Sequence, residues 1–129
     1  MCIRDRYDTK SWGLLHRLTR ARTLGRSPLG FSGDGRVLAV VTSSGEVGLY
    51  DVDGMQRLTM LPVSRHDPVS GLLFARDCSW LAVGTESGLV HLWDLRRARD
   101  RLRAFGLDWD PSLLPAAGVR LPVSATVIE

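Results

Sequence analysis

Two stretches of the chain, FSGDGRVLAVVTSSGEVGLYD over 31–51 and FARDCSWLAVGTESGLVHLWD over 74–94, align without a gap at a shift of 43 residues. About half of the aligned positions are identical, a level that an ungapped match does not reach by chance. Phe31 meets Phe74, Asp34 meets Asp77, Leu38-Ala39-Val40 meets Leu81-Ala82-Val83, and Ser44-Gly45 meets Ser87-Gly88. An aromatic-Asp dipeptide closes each stretch, Tyr50-Asp51 and Trp93-Asp94, and Tyr7-Asp8 stands another 43 residues upstream. A unit repeated at a fixed period of this size cannot bury its apolar face alone, so the chain must stack its copies against one another.

Within each copy the pattern is that of strands. Pro28 to Phe31 and Val69 to Phe74 read as short strands running into turns. Gly33-Asp34-Gly35 is turn chemistry, because glycine reaches positive φ and aspartate bonds its own backbone. Val37 to Thr42 and Trp80 to Thr85 are nearly continuous apolar runs of strand length, as expected of strands buried on both faces. Ser44-Gly45 and Ser87-Gly88 then close hairpins. Val47 and Leu49 alternate with Gly48, and Val90 and Leu92 with His91, at the period of a strand. Asp53-Gly54 makes a further turn, and Met55 to Leu61 is expected as an outer strand.

At these residues, over roughly Tyr7 to Leu95, the chain resembles the WD-repeat (WD40) β-propeller family, whose blades repeat every ~40–45 residues with four strands each. His66 followed by Trp93-Asp94 looks like the family's Gly-His … Trp-Asp frame, with Arg65 where the glycine usually stands. The family often builds a His, Ser/Thr, Asp and Trp hydrogen-bond tetrad inside a blade. Here Val83 and Ser87 occupy the positions of the Ser/Thr and the Asp, so the tetrad is broken. In the earlier copy Thr23, Val40, Ser44 and Tyr50 leave it absent. The resemblance implies structural roles for Phe31, Phe74, Tyr50, Asp51, His66, Trp93 and Asp94. The fold class expected is all-β: a partial propeller of about two four-stranded antiparallel blades, then a short C-terminal amphipathic helix and an irregular tail.

The two ends depart from the repeat. Shifted back by 43, Val47 and Leu49 land on Arg4 and Arg6, placing two arginines on a packed sheet face. Residues 1–6 are therefore set apart as a non-native scar, such as a sequencing-adapter remnant, or else as a frayed start. Residues 7–94 form the partial propeller, with copies over about 19–61 and 62–94 and a leftover outer strand over 7–18. Beyond Asp94, a good N-cap, Leu95, Ala98, Leu102 and Phe105 recur at helical spacing and Gly106 suits the residue past a helix end. A helix is expected over 95–106, followed by a tail over 107–129 containing Pro111, Pro115 and Pro122. The run LWDLRRARDRLRAFGLDWD, Leu92 to Asp110, resembles the end of the propeller region in certain large bacterial WD-repeat proteins. Some of those carry a Ser/Thr protein kinase domain upstream, which implies a parent of that kind. This chain has no Gly-rich phosphate loop with its lysine and no HRD-like loop.

Little in the sequence points to chemistry. With 44% apolar and 24% charged residues the chain falls in the globular class, and no apolar run nears the length of a membrane span. It has only Cys2 and Cys78, which argues against a disulfide framework; Cys78 falls in a turn as an inert thiol. The net charge of +3 comes from arginine, with Lys10 the single lysine; the dispersed arginines read as coding bias of a GC-rich genome. His16, His66 and His91 have no metal-ligand spacing, so neither metal nor cofactor is expected. Asp51 and Asp94 sit at equivalent strand ends, where a turn or cap role outweighs paired-carboxylate catalysis.

The function expected is therefore a non-catalytic protein-interaction scaffold, cytoplasmic, whose partners are other proteins and the missing blades of its own parent chain, with no membrane partner. The loops Arg65 to Pro68 and Thr85 to Gly88 are candidate contacts. Trp109, between two aspartates, is an apolar anchor or a partner contact. Arg96, Arg97, Arg99, Arg101 and Arg103 line one helix face, either solvated or able to meet phosphates. Two other functions remain open: a regulatory or targeting module of a bacterial Ser/Thr kinase-like multidomain protein, and nucleic-acid binding through the arginine helix.

Overall fold

The structure is a computed structural model that describes residues 2–20, 28–43, 45–63 and 67–104. Among the described residues, nine strands and one helix follow in order: β1 (Cys2–Tyr7), β2 (Leu14–Arg20), β3 (Leu29–Phe31), β4 (Val37–Ser43), β5 (Glu46–Asp51), β6 (Arg57–Pro62), β7 (Val69–Phe74), β8 (Trp80–Thr85), β9 (Val90–Asp94) and α1 (Leu95–Ala104). They form three antiparallel meanders ordered β1-β2, β3-β4-β5-β6 and β7-β8-β9. Neighbouring strands in sequence are neighbours in space, as short hairpin connections require.

The 43-residue repeat is also a repeat of register. Leu38 faces Tyr50 and Ala39 faces Leu49 across β4 and β5; Leu81 faces Trp93 and Ala82 faces Leu92 across β8 and β9. The connecting turns match as well. Ser32 N–H donates to the Val37 carbonyl at 2.8 Å, and Ala75 N–H to the Trp80 carbonyl at 2.9 Å. Asp8 N–H donates to Gly13 and Asp51 N–H to Gln56, both at 2.9 Å.

The main core lies between the second and third sheets. Val37, Ala39, Val41, Val47 and Leu49 from one face of the second sheet meet Phe74, Leu81 and Val83 from the third and Leu95 from the start of α1. Fully burying a side chain such as Leu49 or Leu81 contributes about 1.5–3 kcal/mol relative to leaving it in water. A smaller cluster of Leu38, Val40, Val52 and Met55 covers the opposite face of the second sheet, with Tyr50 packed on it. Both faces of β4 are thus buried, which is why its sequence is apolar without alternation.

The chain departs from the sequence expectations in four places. Residues 7–18, expected as one outer strand, hold the end of β1, a turn and most of β2. Strand β1 runs back to Cys2, and Arg6, foreseen as a charge against a packed face, reaches out of it to donate a hydrogen bond to the Val52 carbonyl. The outer strand expected from Met55 begins at Arg57, because Met55 has φ 50° and belongs to the turn. The second repeat contributes three strands instead of four and then, as the spacing predicts, the helix; its described end, Ala104, leaves Phe105, Gly106, Trp109 and the tail outside the described residues.

Candidate interaction surface

The aspartate of each aromatic-Asp dipeptide is fixed in the same way. Asp8 Oδ1 accepts the Lys10 amide at 3.0 Å and the Ser11 amide at 2.6 Å. Asp51 accepts the Asp53 amide at 3.2 Å and the Gly54 amide at 3.1 Å. Asp94 accepts the Arg96 amide at 3.1 Å and the Arg97 amide at 3.0 Å. All three bind the second and third amides that come after them, the Asx pattern that opens a turn or caps a helix. Tyr50 and Trp93 are half-buried against the two cores. Phe74 is buried, whereas Phe31 is half exposed.

At this end of the sheets, Asp77 Oδ1 accepts the Ser79 hydroxyl at 2.6 Å and the Ser79 amide at 3.1 Å, and these bonds hold its carboxyl below the usual range. Asp34 makes the equivalent bond to the Arg36 amide at 3.1 Å and also accepts from Ser32. Burial pushes the Asp34 carboxyl up, but the Ser32 hydroxyl and the Arg36 amide outweigh it and leave the group lowered. Arg96 pairs with Asp77 at 3.3 Å, tying α1 to the turn beside it.

The opposite end of the third sheet joins two of the loops singled out in the sequence. His66 and Arg65 lie outside the described residues, but Asp67 accepts the Ser87 amide at 3.1 Å and takes a short hydrogen bond from the Ser87 hydroxyl. The Glu86 amide donates to the Pro68 carbonyl at 2.9 Å. Thr85 and Ser87 hydroxyls lie 3.2 Å apart. The Ser87 hydroxyl, then that of Thr85, holds the Asp67 carboxyl below its ordinary value. Sequence reasoning placed Asp67 inside a candidate contact loop but gave it no role of its own. Its signal was the serine at a position where a carboxylate was due, with an aspartate beside His66 left unassigned. Val83 is fully buried in the core, and the buried Trp93 Nε1 has no hydrogen-bond partner among the described residues.

The outward face of the third sheet is where the repeat breaks in exposure. Leu73, Ala82 and Leu92 form one cross-strand row. The corresponding row of the second sheet is Gly30, Ala39 and Leu49, with β7 packed so closely on it that a Cβ at Gly30 would lie 3.3 Å from the Leu72 carbonyl oxygen. Leu49 is 1% exposed and Leu92 58%; Val47 is fully buried and Val90 65% exposed. With Trp80, Phe74 and Ala75, the third-sheet row lines a shallow apolar concavity. At the other end of the chain, Met55 is 8% exposed while its counterpart Trp12 is 77% exposed.

The arginine helix packs by Leu95, which is fully buried, and by Leu102. Arg97, Arg101 and Arg103 are exposed, while Arg96 and Arg99 are half-buried. Among the described residues, no group of three His, Cys, Asp or Glu side chains is placed to hold a metal ion, and no helix is long and apolar enough to cross a membrane.

Comparison with known proteins agrees with this architecture. No family model matches the chain. The fold is similar to that of "Structure of U3-55K", with a TM-score of 0.62 and 26% identity over 74% of this chain and 31% of that one. It is equally similar to "Crystal structure of RRP9 WD40 repeats", with a TM-score of 0.63 and 25% identity over 74% of this chain and 30% of that one. In sequence, the chain is 31% identical over 61 residues to "Serine/threonine-protein kinase VPS15" of Saccharomyces cerevisiae. That match covers 46% of this chain and 4% of the kinase. The chain thus spans less than a third of each of these proteins.

Proposed function

We propose, from a fold that is part of a WD40 propeller, that this chain is a non-catalytic protein-interaction scaffold whose sheets are completed by further blades. One observation carries the need for further blades: the row Leu73–Ala82–Leu92 is open, although its counterpart Gly30–Ala39–Leu49 is covered by the next sheet of the same chain. An apolar row repeated in sequence and bared at only one of its copies has the composition of an interface, not of a solvent face. The natural cover is a sheet packed as β7-β8-β9 packs on β3-β4-β5-β6. Recognition of other proteins then falls to the loops, since blades offer their connecting segments at the rim and their strands are spent on packing. The joined loops around Asp67 and Ser87 are the nominated contact, held in one conformation by the hydrogen bonds between them.

The test is association in solution. The isolated chain is expected to self-associate as its concentration rises in sedimentation velocity. Leu73→Glu with Leu92→Glu is expected to return it to monomer without loss of strand signal. A wild-type chain that stays monomeric and unfolds in one sharp transition overturns the reading.

A second reading rests on the 61-residue match to the yeast kinase. On this reading the blades are a regulatory or targeting module of a Ser/Thr kinase-like multidomain protein. The complete open reading frame decides it: a kinase domain upstream supports the module, and its absence removes it.

A further inference from the structure

Helix α1, LRRARDRLRA, carries five arginines and one acidic residue, Asp100. Its placement is fixed at three points. Leu95 is fully buried and its amide donates to the Ser79 carbonyl at 2.9 Å; Asp94 caps the first turn; Arg96 pairs with Asp77. The apolar side, Leu95 with Leu102, is spent on the core. The arginines therefore stand on a positioned scaffold and not on a loose basic tail.

Arg97 and Arg101 are both exposed and stand one turn apart on the same outward side. Like charges at this spacing cost the helix stability, and Asp100, three residues after Arg97, offsets that cost only in part. A polyanion laid along the helix would relieve that repulsion. We propose that this face binds the phosphate backbone of nucleic acid, with Arg97 and Arg101 as the central contacts. The guanidinium fork matches phosphate oxygens in a two-bond geometry that an ammonium does not offer. A bilayer is a poorer fit, because the helix has no exposed large apolar side chain to insert beside its arginines. The helix also contains only Leu, Arg, Ala and Asp, so it lacks the Asn and Gln that read adenine edges. The contacts proposed are to phosphate, so binding is carried by charge and depends strongly on salt.

The experiment titrates the full chain against a fluorescent single-stranded RNA and a DNA duplex of unrelated sequence, with anionic phosphatidylserine vesicles and polyglutamate in parallel. Two to four phosphate contacts weaken binding by about tenfold to a hundredfold between about 50 and about 200 mM salt. Arg97→Glu with Arg101→Glu abolishes binding, Arg97→Lys with Arg101→Lys retains part of it, and Arg57→Glu, exposed on β6, leaves it unchanged. Circular dichroism confirms that each variant keeps its helix and strands. The proposal is overturned by absence of binding at low salt, by binding that survives the double charge reversal, or by vesicles or polyglutamate binding as tightly as nucleic acid.

Discussion

Asp51 and Asp94 stand 43 residues apart and bind the same two amides, the second and third after each, yet one opens a β-turn and the other a helix. The chain after each carboxylate also begins alike. Val52 N–H donates to the Arg36 carbonyl and Leu95 N–H to the Ser79 carbonyl, both at 2.9 Å. The residues beyond these two decide the outcome. Asp53-Gly54 and a left-handed Met55 turn the first copy back into β6. Arginine, alanine and leucine, all strong helix formers, carry the second copy onward as α1.

Removing these carboxylates therefore has two signatures. Asp94→Ala costs about 0.5–2 kcal/mol, the usual value of a lost N-cap, and lowers the helical signal in circular dichroism. Asp51→Ala costs about 1 kcal/mol of stability through its turn and leaves the helical signal intact. Asp94→Asn, which still offers an oxygen to both amides, stays near wild type. Equal loss of helicity in Asp51→Ala and Asp94→Ala contradicts the assignment.

Two glycines of one turn separate backbone freedom from space. Gly35 has φ 72° and open space where a Cβ would point, so Gly35→Ala costs about 1 kcal/mol for the left-handed backbone alone. Gly33 has no such φ, but a Cβ there would stand 2.7 Å from the Arg76 carbonyl oxygen of the neighbouring sheet's turn. Gly33→Ala must push two sheets apart and is expected to cost more than Gly35→Ala. Chemical denaturation of the two variants checks the order.

The repeat, the strands and the helix were legible in the sequence because apolar spacing and identity both report on packing. The backbone repeat was legible only in part. Three pairs of left-handed residues lie 43 apart: Trp12 with Met55, Gly35 with Cys78, and Gly45 with Gly88. Gly45 and Gly88 could be read directly. Trp12, Met55 and Cys78 could not, since a residue with a Cβ gives no sign of positive φ when its turn is held by surrounding hydrogen bonds. The Asp67–Ser87 contact was hidden for a different reason. Twenty residues separate the partners, and the pairing arises from strand register. The arginine at position 6 misled because charge at a core position reads as conflict, whereas its long stem carries the guanidinium to a backbone carbonyl.

The carboxylates of Asp67 and Asp77 are both held below their ordinary 3.8, chiefly by the Ser87 and Ser79 hydroxyls. The folded chain thus binds fewer protons at these sites than the unfolded one. Their stabilisation is complete above the unfolded value and is lost as pH falls through the folded value, below about pH 4. Urea midpoints are expected to be flat from about pH 7 to 5 and to drop beneath about pH 4. Asp67→Asn lowers the midpoint at neutral pH but shows a smaller further drop on acidification. An acid dependence identical to wild type removes Asp67 from the account.

Leu49 and Leu92 occupy the same register position in successive sheets, one covered and one bare, so the same substitution should behave oppositely at the two sites. Leu49→Ala opens a cavity between packed sheets and is expected to cost about 2–5 kcal/mol. Leu92→Ala removes a side chain that already meets solvent and costs at most about 0.5 kcal/mol in the isolated chain. Its effect appears instead in association, where less apolar surface is offered to a cover and the sedimentation coefficient falls toward that of the monomer. If this chain is part of a longer protein in which a further blade seats on this face, Leu92→Ala there becomes as costly as Leu49→Ala. Thermal denaturation of both variants in both settings measures that change. A Leu92→Ala cost that is the same in this chain and in a longer chain carrying the next blade means the face stays bare.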